Sequence, residues 1–156
     1  YGVYPLLFPE TTLLADGMHV TAVTRNDGGE AQVFESVDAG ITWSQPQDVG
    51  LPVGASKMCG GTLRNGVQYL IYNEKTDPPS RNRLVIALRH GSDTAFKKVY
   101  TLFEGEDTQL RAGPMWHYPC AVEFAGKLYI SCTSSRVNDV RRDAAIAIIP
   151  IDSLVL

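Results

Sequence analysis

The sequence predicts an all-β fold assembled from repeated four-stranded antiparallel sheets. Three observations point there. No stretch of the 156 residues holds a helical spacing of apolar side chains for three turns; short β-rich runs broken by Gly, Asn, Asp and Pro take its place. A strand–turn–strand pattern closed by glycine occurs three times. The stretch 35–44 has the residue types of a tight turn between two outer strands.

The three hairpins occupy 12–23, 62–72 and 121–132, and their turns end in Gly17, Gly66 and Gly126. These glycines stand 49 and 60 residues apart, a spacing suited to propeller blades. A third β-rich run follows each hairpin, at 31–36, 83–89 and 143–150, and a fourth follows the first two, at 42–49 and 96–103. Blades are therefore expected at 10–50, 56–104 and 116–156, the last without its fourth strand, making the whole of 1–156 one partial β-propeller. The runs 69–72 and 144–149 are apolar at every position or nearly so, as expected of strands sandwiched between neighbouring blades. The links from Asp77-Pro78 to Arg81 and from Glu104 to Asp107 read as polar loops.

Three blades cannot close a ring, because propellers need four or more to protect their edges. The two terminal faces would be exposed apolar patches. About three blades of a larger propeller are expected here, with the remainder supplied by the same parent chain. A first residue that is Tyr rather than Met fits a chain processed or cut from something longer.

Within 35–44, Ser36 and Asp38 can bond neighbouring backbone N–H groups, and Gly40 supplies the positive φ of a tight turn. Thr42 and Trp43 then restart an extended strand, with the indole tucked under the turn. These five residues are expected to staple the blade and to take no part in catalysis.

Composition removes several function classes. A net charge of −3, a pI near 5.6 and no Lys/Arg run longer than Arg141-Arg142 exclude a general polyanion binder, so no nucleic-acid partner is expected. Apolar runs are too short to span a bilayer. Cys59, Cys120 and Cys132 lack metal-ligand spacing and read as free buried thiols, with a Cys120–Cys132 bridge as the alternative. HExxH, P-loop, GxGxxG and GxSxG patterns are missing, and neither metal nor cofactor is expected.

In a propeller the innermost strands begin around the central axis, so equivalent positions before each hairpin share one funnel. Counting back from the turn glycines, those positions hold Glu10, Lys57, His117 and Tyr118; eight residues after the glycines stand Arg25, Glu74 and Ser134. Glu10, then Leu14-x-Asp16-Gly17, then Arg25, then the turn at Ser36, resembles the order seen in the sialidase (neuraminidase) superfamily, whose turn motif is the Asp-box or BNR repeat. The segment from Tyr72-Asn73 through Arg81 and Leu84 is similar to the one that supplies another arginine of that family's triad, with Arg83 a poorer match. His117-Tyr118 through Tyr129 is similar to the blade that opens with the catalytic tyrosine. Pro119 stands where the family has Ser, as in its divergent bacterial sialidase-like branch, and the second blade's box is reduced to 89–96.

The resemblance implies part of a six-bladed propeller and a retaining exo-sialidase or sialidase-like glycoside hydrolase. Tyr118 would be the nucleophile and Glu10 its proton acceptor, with Arg25 and Arg81 in the arginine triad. The first triad arginine and the acid/base aspartate would precede residue 1. The chemistry suits these residue types. A sialoside carries a carboxylate on the anomeric carbon; guanidinium forks match it in bidentate geometry, and a neutral phenol approaches without the repulsion an anionic nucleophile would meet. His117 is expected to line the pocket, Lys57 to contribute a charge, and Trp116 to stack on a sugar ring. Arg25 has an alternative in surface pairing with Asp27 or Glu30. Two other functions fit the same residues. One is a hydrolase or lyase of uronic-acid glycans with His117 and Tyr118 as acid/base pair; the other is a non-catalytic propeller that binds carbohydrate or protein. The expected partner is an acidic glycan, and secretion or a periplasmic location follows from that substrate class.

Overall fold

Residues 10–25, 30–77, 79–105, 113–136 and 142–156 are described by a computed structural model. Asp27, Pro78, Glu106, Asp107 and Arg141 lie outside the described residues. Each repeated glycine closes a hairpin in the left-handed region, with φ of 62° at Gly17, 83° at Gly66 and 74° at Gly126. The first joins β1 (Thr11–Asp16) to β2 (His19–Thr24), the second β5 (Cys59–Thr62) to β6 (Val67–Asn73), and the third β9 (Pro114–Phe124) to β10 (Lys127–Arg136). β3 (Gln32–Ser36) and β4 (Gln47–Asp48) complete the first sheet, in the order β1-β2-β3-β4. β7 (Arg83–His90) and β8 (Lys98–Glu104) complete the second, in the order β5-β6-β7-β8, while β11 (Arg142–Pro150) makes the third three-stranded. Every pairing is antiparallel, and the described residues include no α-helix, only a 3-10 turn at Ile151–Ser153.

Two cores flank the middle blade. Alternation along β6 sends Tyr69 and Ile71 to one face and Leu70 and Tyr72 to the other, and all four are buried. The first face packs with Ile86, Leu88, Leu128 and Ile130; the second packs with Val85, Ala87, Leu14 and Val23. Each fully buried aliphatic side chain there contributes about 1.5–3 kcal/mol. The expectation of two-sided burial holds at 69–72 and fails at 144–149. Ala145, Ala147 and Ile149 pack inward, but Ile146 and Ile148 are 63% and 55% exposed, because no described residue covers the outer face of β11. Leu13 on β1 is likewise 55% exposed at the other end of the array.

The fourth strand of the first blade is also shorter than 42–49. The chain spends 38–44 on the turn; Ser44 N–H still reaches the Glu35 carbonyl (2.8 Å), but Pro46 has no N–H to give a ladder, so regular pairing begins at Gln47. The turn is a closed set of hydrogen bonds. Asp38 accepts from the Thr42 backbone N–H (2.8 Å) and hydroxyl (2.6 Å) and from the Ser36 hydroxyl (2.8 Å); Ser36 Oγ accepts from Gly40 N–H (2.8 Å), and Trp43 Nε1 donates to the Gly40 carbonyl (3.0 Å). Those donors, Thr42 foremost, lower the Asp38 carboxyl to about 2. All three cysteines are free, and only Cys132 is buried. A Cys120–Cys132 bridge is ruled out by the sheet: Cys120 sits opposite Ser131 and shares its face, whereas Cys132 points the other way into the core.

Candidate active site

Three blades deliver side chains to the same end of the array. Glu10 immediately precedes β1 and Arg25 immediately follows β2, their ends tied by Arg25 N–H to the Glu10 carbonyl (2.9 Å). Lys57 lies just before β5, Arg81 just before β7, and Tyr118 within β9. Glu10, Arg25, Lys57, Arg81 and Tyr118 together line one cleft of about 460 Å³.

Tyr118 reaches the cleft through an irregularity in its strand. β9 pairs with β10 in a register that shifts between Ser131 and Thr133, opposite Cys120 and His117, so Tyr118 and Pro119 bulge out of the ladder. Tyr118 there takes a φ of 57°, a left-handed conformation that costs a non-glycine residue about 1–3 kcal/mol. The phenol is 48% exposed. Beneath it lies His117, which is buried, edge-on to the Tyr118 ring (4.6 Å between centroids, 86°) and hydrogen-bonded through Nε2 to Ser135 Oγ (3.0 Å). Burial, then the charges of Arg81 and Arg142, lower the His117 pKa and favour the neutral ring. Its Nδ1 has no hydrogen-bond partner among the described residues.

The Arg81 guanidinium donates to Tyr118 Oη (3.5 Å) and to the Ala55 carbonyl (3.3 Å), with its carbon 5.4 Å from the phenol ring centre. Its backbone is held by Asn73, a buried amide whose Nδ2 reaches the carbonyls of Trp116 (2.7 Å), Arg83 (3.1 Å) and Arg81 (3.4 Å). Trp116 N–H also donates to the Arg81 carbonyl (2.9 Å). The positioning role of Asn73 was not read from the sequence. The signal was present: an amide closing an apolar run, where only a multiply bonded side chain is tolerated.

Arg25 is mostly covered, with 11% of its side chain exposed, and sits 3.7 Å from Glu10. That separation is an ion pair but exceeds hydrogen-bond reach, so Glu10 Oε2 is out of solvent with a charge beside it and no hydrogen bond among the described residues. Glu30 is taken by Lys75 (2.6 Å). Among the described residues the cleft holds three cations and one carboxylate.

Other expected members lie elsewhere. Trp116, expected to stack on a sugar, stacks on Phe103 instead (5.4 Å, 13°), because strand alternation turns it toward the core between the second and third blades. His117 supports Tyr118 from below and does not line the cleft. Glu74 pairs with Arg83 (2.6 Å), which also reaches Glu104 (3.7 Å), so Arg83 is engaged away from the cleft that Arg81 lines. Among the described residues no group of His, Cys, Asp and Glu is placed to hold a metal ion, and no helix is long and apolar enough to cross a membrane.

The family model described as a BNR repeat-like domain matches residues 6–130, most of the chain. The chain belongs to that family. Solved structures agree with this BNR-repeat chain in fold. A protein of unknown function from Dyadobacter fermentans superposes with a TM-score of 0.67 at 19% identity, over 91% of this chain and 38% of that one. An ulvan lyase of polysaccharide lyase family PL25, bound to -[GlcA(1-4)Rha3S]-, gives 0.68 at 14% identity, over 93% and 39%. A point mutant of NanB sialidase from Streptococcus pneumoniae gives 0.67 at 14% identity, over 94% and 24%. The BNR-repeat chain therefore spans well under half the length of each. No match was found among curated proteins. The three sheets are blades of a sialidase-like β-propeller.

Proposed function

We propose that the cleft binds the carboxylate of a terminal acidic sugar and that the chain contributes the nucleophile side of a retaining sialidase-like glycoside hydrolase. One observation carries this reading: Glu10, Arg25, Arg81 and Tyr118, separated by more than a hundred residues, line a single cleft. Arg25 and Arg81 provide two guanidinium forks for the carboxylate. Tyr118 attacks the anomeric carbon, and Glu10, which lines the same cleft, takes the phenolic proton. Protonation of the leaving group falls to a residue outside this sequence. An acid/base pair of His117 and Tyr118 is less well supported, since His117 is buried and turned to Ser135. An enzyme of this kind meets its glycans outside the cytoplasm, which is the ground for proposing secretion.

The test is release of the fluorophore from a sialic acid aryl glycoside by the full-length protein. Release is expected, falling by about 10²–10⁴ in Tyr118→Phe and in Glu10→Gln. No release, or release indifferent to both substitutions, would contradict the proposal.

A further inference from the structure

A second hollow of about 280 Å³ adjoins the cleft and is lined by Glu10, Thr11, Thr12, Lys57 and Met58. Glu10 and Lys57 line both, so the two hollows share a wall. We propose that this hollow is a second anion subsite, in which Lys57 takes a carboxylate or sulfate ester on the sugar next to the acidic one. The substrate is then a glycan with anionic groups on two neighbouring units. The inference rests on the sialidase-like reading above and specifies its substrate.

Charge accounting leads to it. Arg25 and Arg81 between them suffice for one carboxylate, and Glu10 stands beside Arg25 at 3.7 Å. That leaves Lys57, exposed and engaged in no hydrogen bond or ion pair with any described residue. Other exposed cations divide: Arg83 is held by Glu74, Lys75 by Glu30 and Lys97 by Asp93, while Lys127 and Arg136 also lack a partner among the described residues but line neither hollow. The rest of the hollow suits a sugar. Met58 is 5% exposed and gives an apolar floor, while Thr11 and Thr12 place hydroxyls on the wall. Thr12 Oγ1 already accepts from Gly60 N–H (2.8 Å) and Thr11 Oγ1 contacts Thr24 Oγ1 (3.3 Å), so those hydroxyls are fixed; Lys57 brings the positive charge, while the Glu10 carboxylate on the same wall has its buried Oε2 beside Arg25 at 3.7 Å.

Calorimetric binding to four ligands tests the assignment: the methyl α-glycoside of N-acetylneuraminic acid, its 2→3 galactoside, the same galactoside 6-sulfated, and the 2→8 disialoside. Each is measured with the unsubstituted protein, Lys57→Met and Arg81→Met, with circular dichroism to confirm folding. Lys57→Met is expected to weaken the sulfated galactoside, the disialoside or both by about tenfold more than it weakens the two monoanions, since Lys57 also lines the main cleft. Arg81→Met is expected to weaken all four. Whichever dianion loses more identifies the second group as sulfate or carboxylate. If Lys57→Met weakens all four alike, or none, the subsite is overturned while the sialidase-like reading stands. If the unsubstituted protein binds none of the four, that reading fails and the subsite with it.

Discussion

Two arginine clusters lie at opposite ends of the same strands, and they are built differently. At the far end from the cleft, Arg89 near the close of β7 is 2% exposed; it donates to Gln68 Oε1 (2.8 Å) and Thr21 Oγ1 (2.6 Å), and its guanidinium carbon lies 5.1 Å from the centre of the Phe96 ring. Thr21 in turn donates to Glu35 (2.7 Å), which His19 also meets (2.6 Å). These bonds stitch the first blade to the second. At the cleft end the corresponding separations are 3.5 Å from Arg81 to Tyr118 and 3.7 Å from Arg25 to Glu10, with Lys57 unpaired among the described residues. Short bonds to buried partners hold a fold together. The longer contact of Arg81 and the exposed Lys57 leave charge for something else to bind.

Substitutions that treat the two ends alike should therefore give unlike results. The largest effect expected is on stability at the far end. Arg89→Met removes the donor on which Gln68 and Thr21 depend and leaves Glu35 short of a cation. It should cost about 3 kcal/mol in urea unfolding, near the low end for a broken buried pair because Glu35 is partly solvated. A loss no greater than that of Arg81→Met would erase the distinction.

Next in size is the titration of Asp38. Its folded pKa is held near 2, below the ordinary 3.8, so the contribution of its hydrogen bonds is fully present above that ordinary value. It is lost as pH falls through about 2, when the folded carboxyl takes its proton. Carboxyl chemical shifts should place the midpoint there, and Thr42→Val should raise it, since Thr42 is the leading cause. A midpoint unchanged by Thr42→Val would contradict the bonding described for the turn.

His117 offers a subtler probe of the cleft. Burial and the Arg81 charge lower its pKa, so protonation opposes folding and stability falls as pH drops below the usual histidine range. Arg81→Met should raise that pKa without restoring it, because burial remains the first cause. The imidazole proton shifts report it. The smallest effect expected is on stability at the cleft itself: Arg81→Met and Lys57→Met should change it by about 0.5 kcal/mol or less.

Much of this was legible in the sequence, and the reason is local geometry. Gly17, Gly66 and Gly126 mark turns whose demand for positive φ is written in one residue, and the Ser36–Trp43 turn closes within its own eight residues. Arg81 could be preferred to Arg83 from resemblance alone, and the structure finds Arg83 committed to Glu74 while Arg81 lines the cleft. What failed depended on neighbours far along the chain. Trp116 adjoins His117 and Tyr118 in sequence, yet alternation sends it to Phe103, and the bulge that re-aims Tyr118 is set by a register shift against β10. The apolar character of 144–149 correctly indicated a strand, but only packing decides that Ile146 and Ile148 stay uncovered by any described residue.

The central claim is that Arg25 and Arg81 face one carboxylate. It is tested most directly by comparing the affinity of a sialic acid methyl glycoside with that of its analogue reduced to the alcohol at the carboxyl carbon. Loss of two charge-assisted contacts should weaken the alcohol by about a hundredfold, and Arg81→Met should shrink that ratio by about tenfold. Equal binding of acid and alcohol, or a ratio untouched by Arg81→Met, would contradict the account.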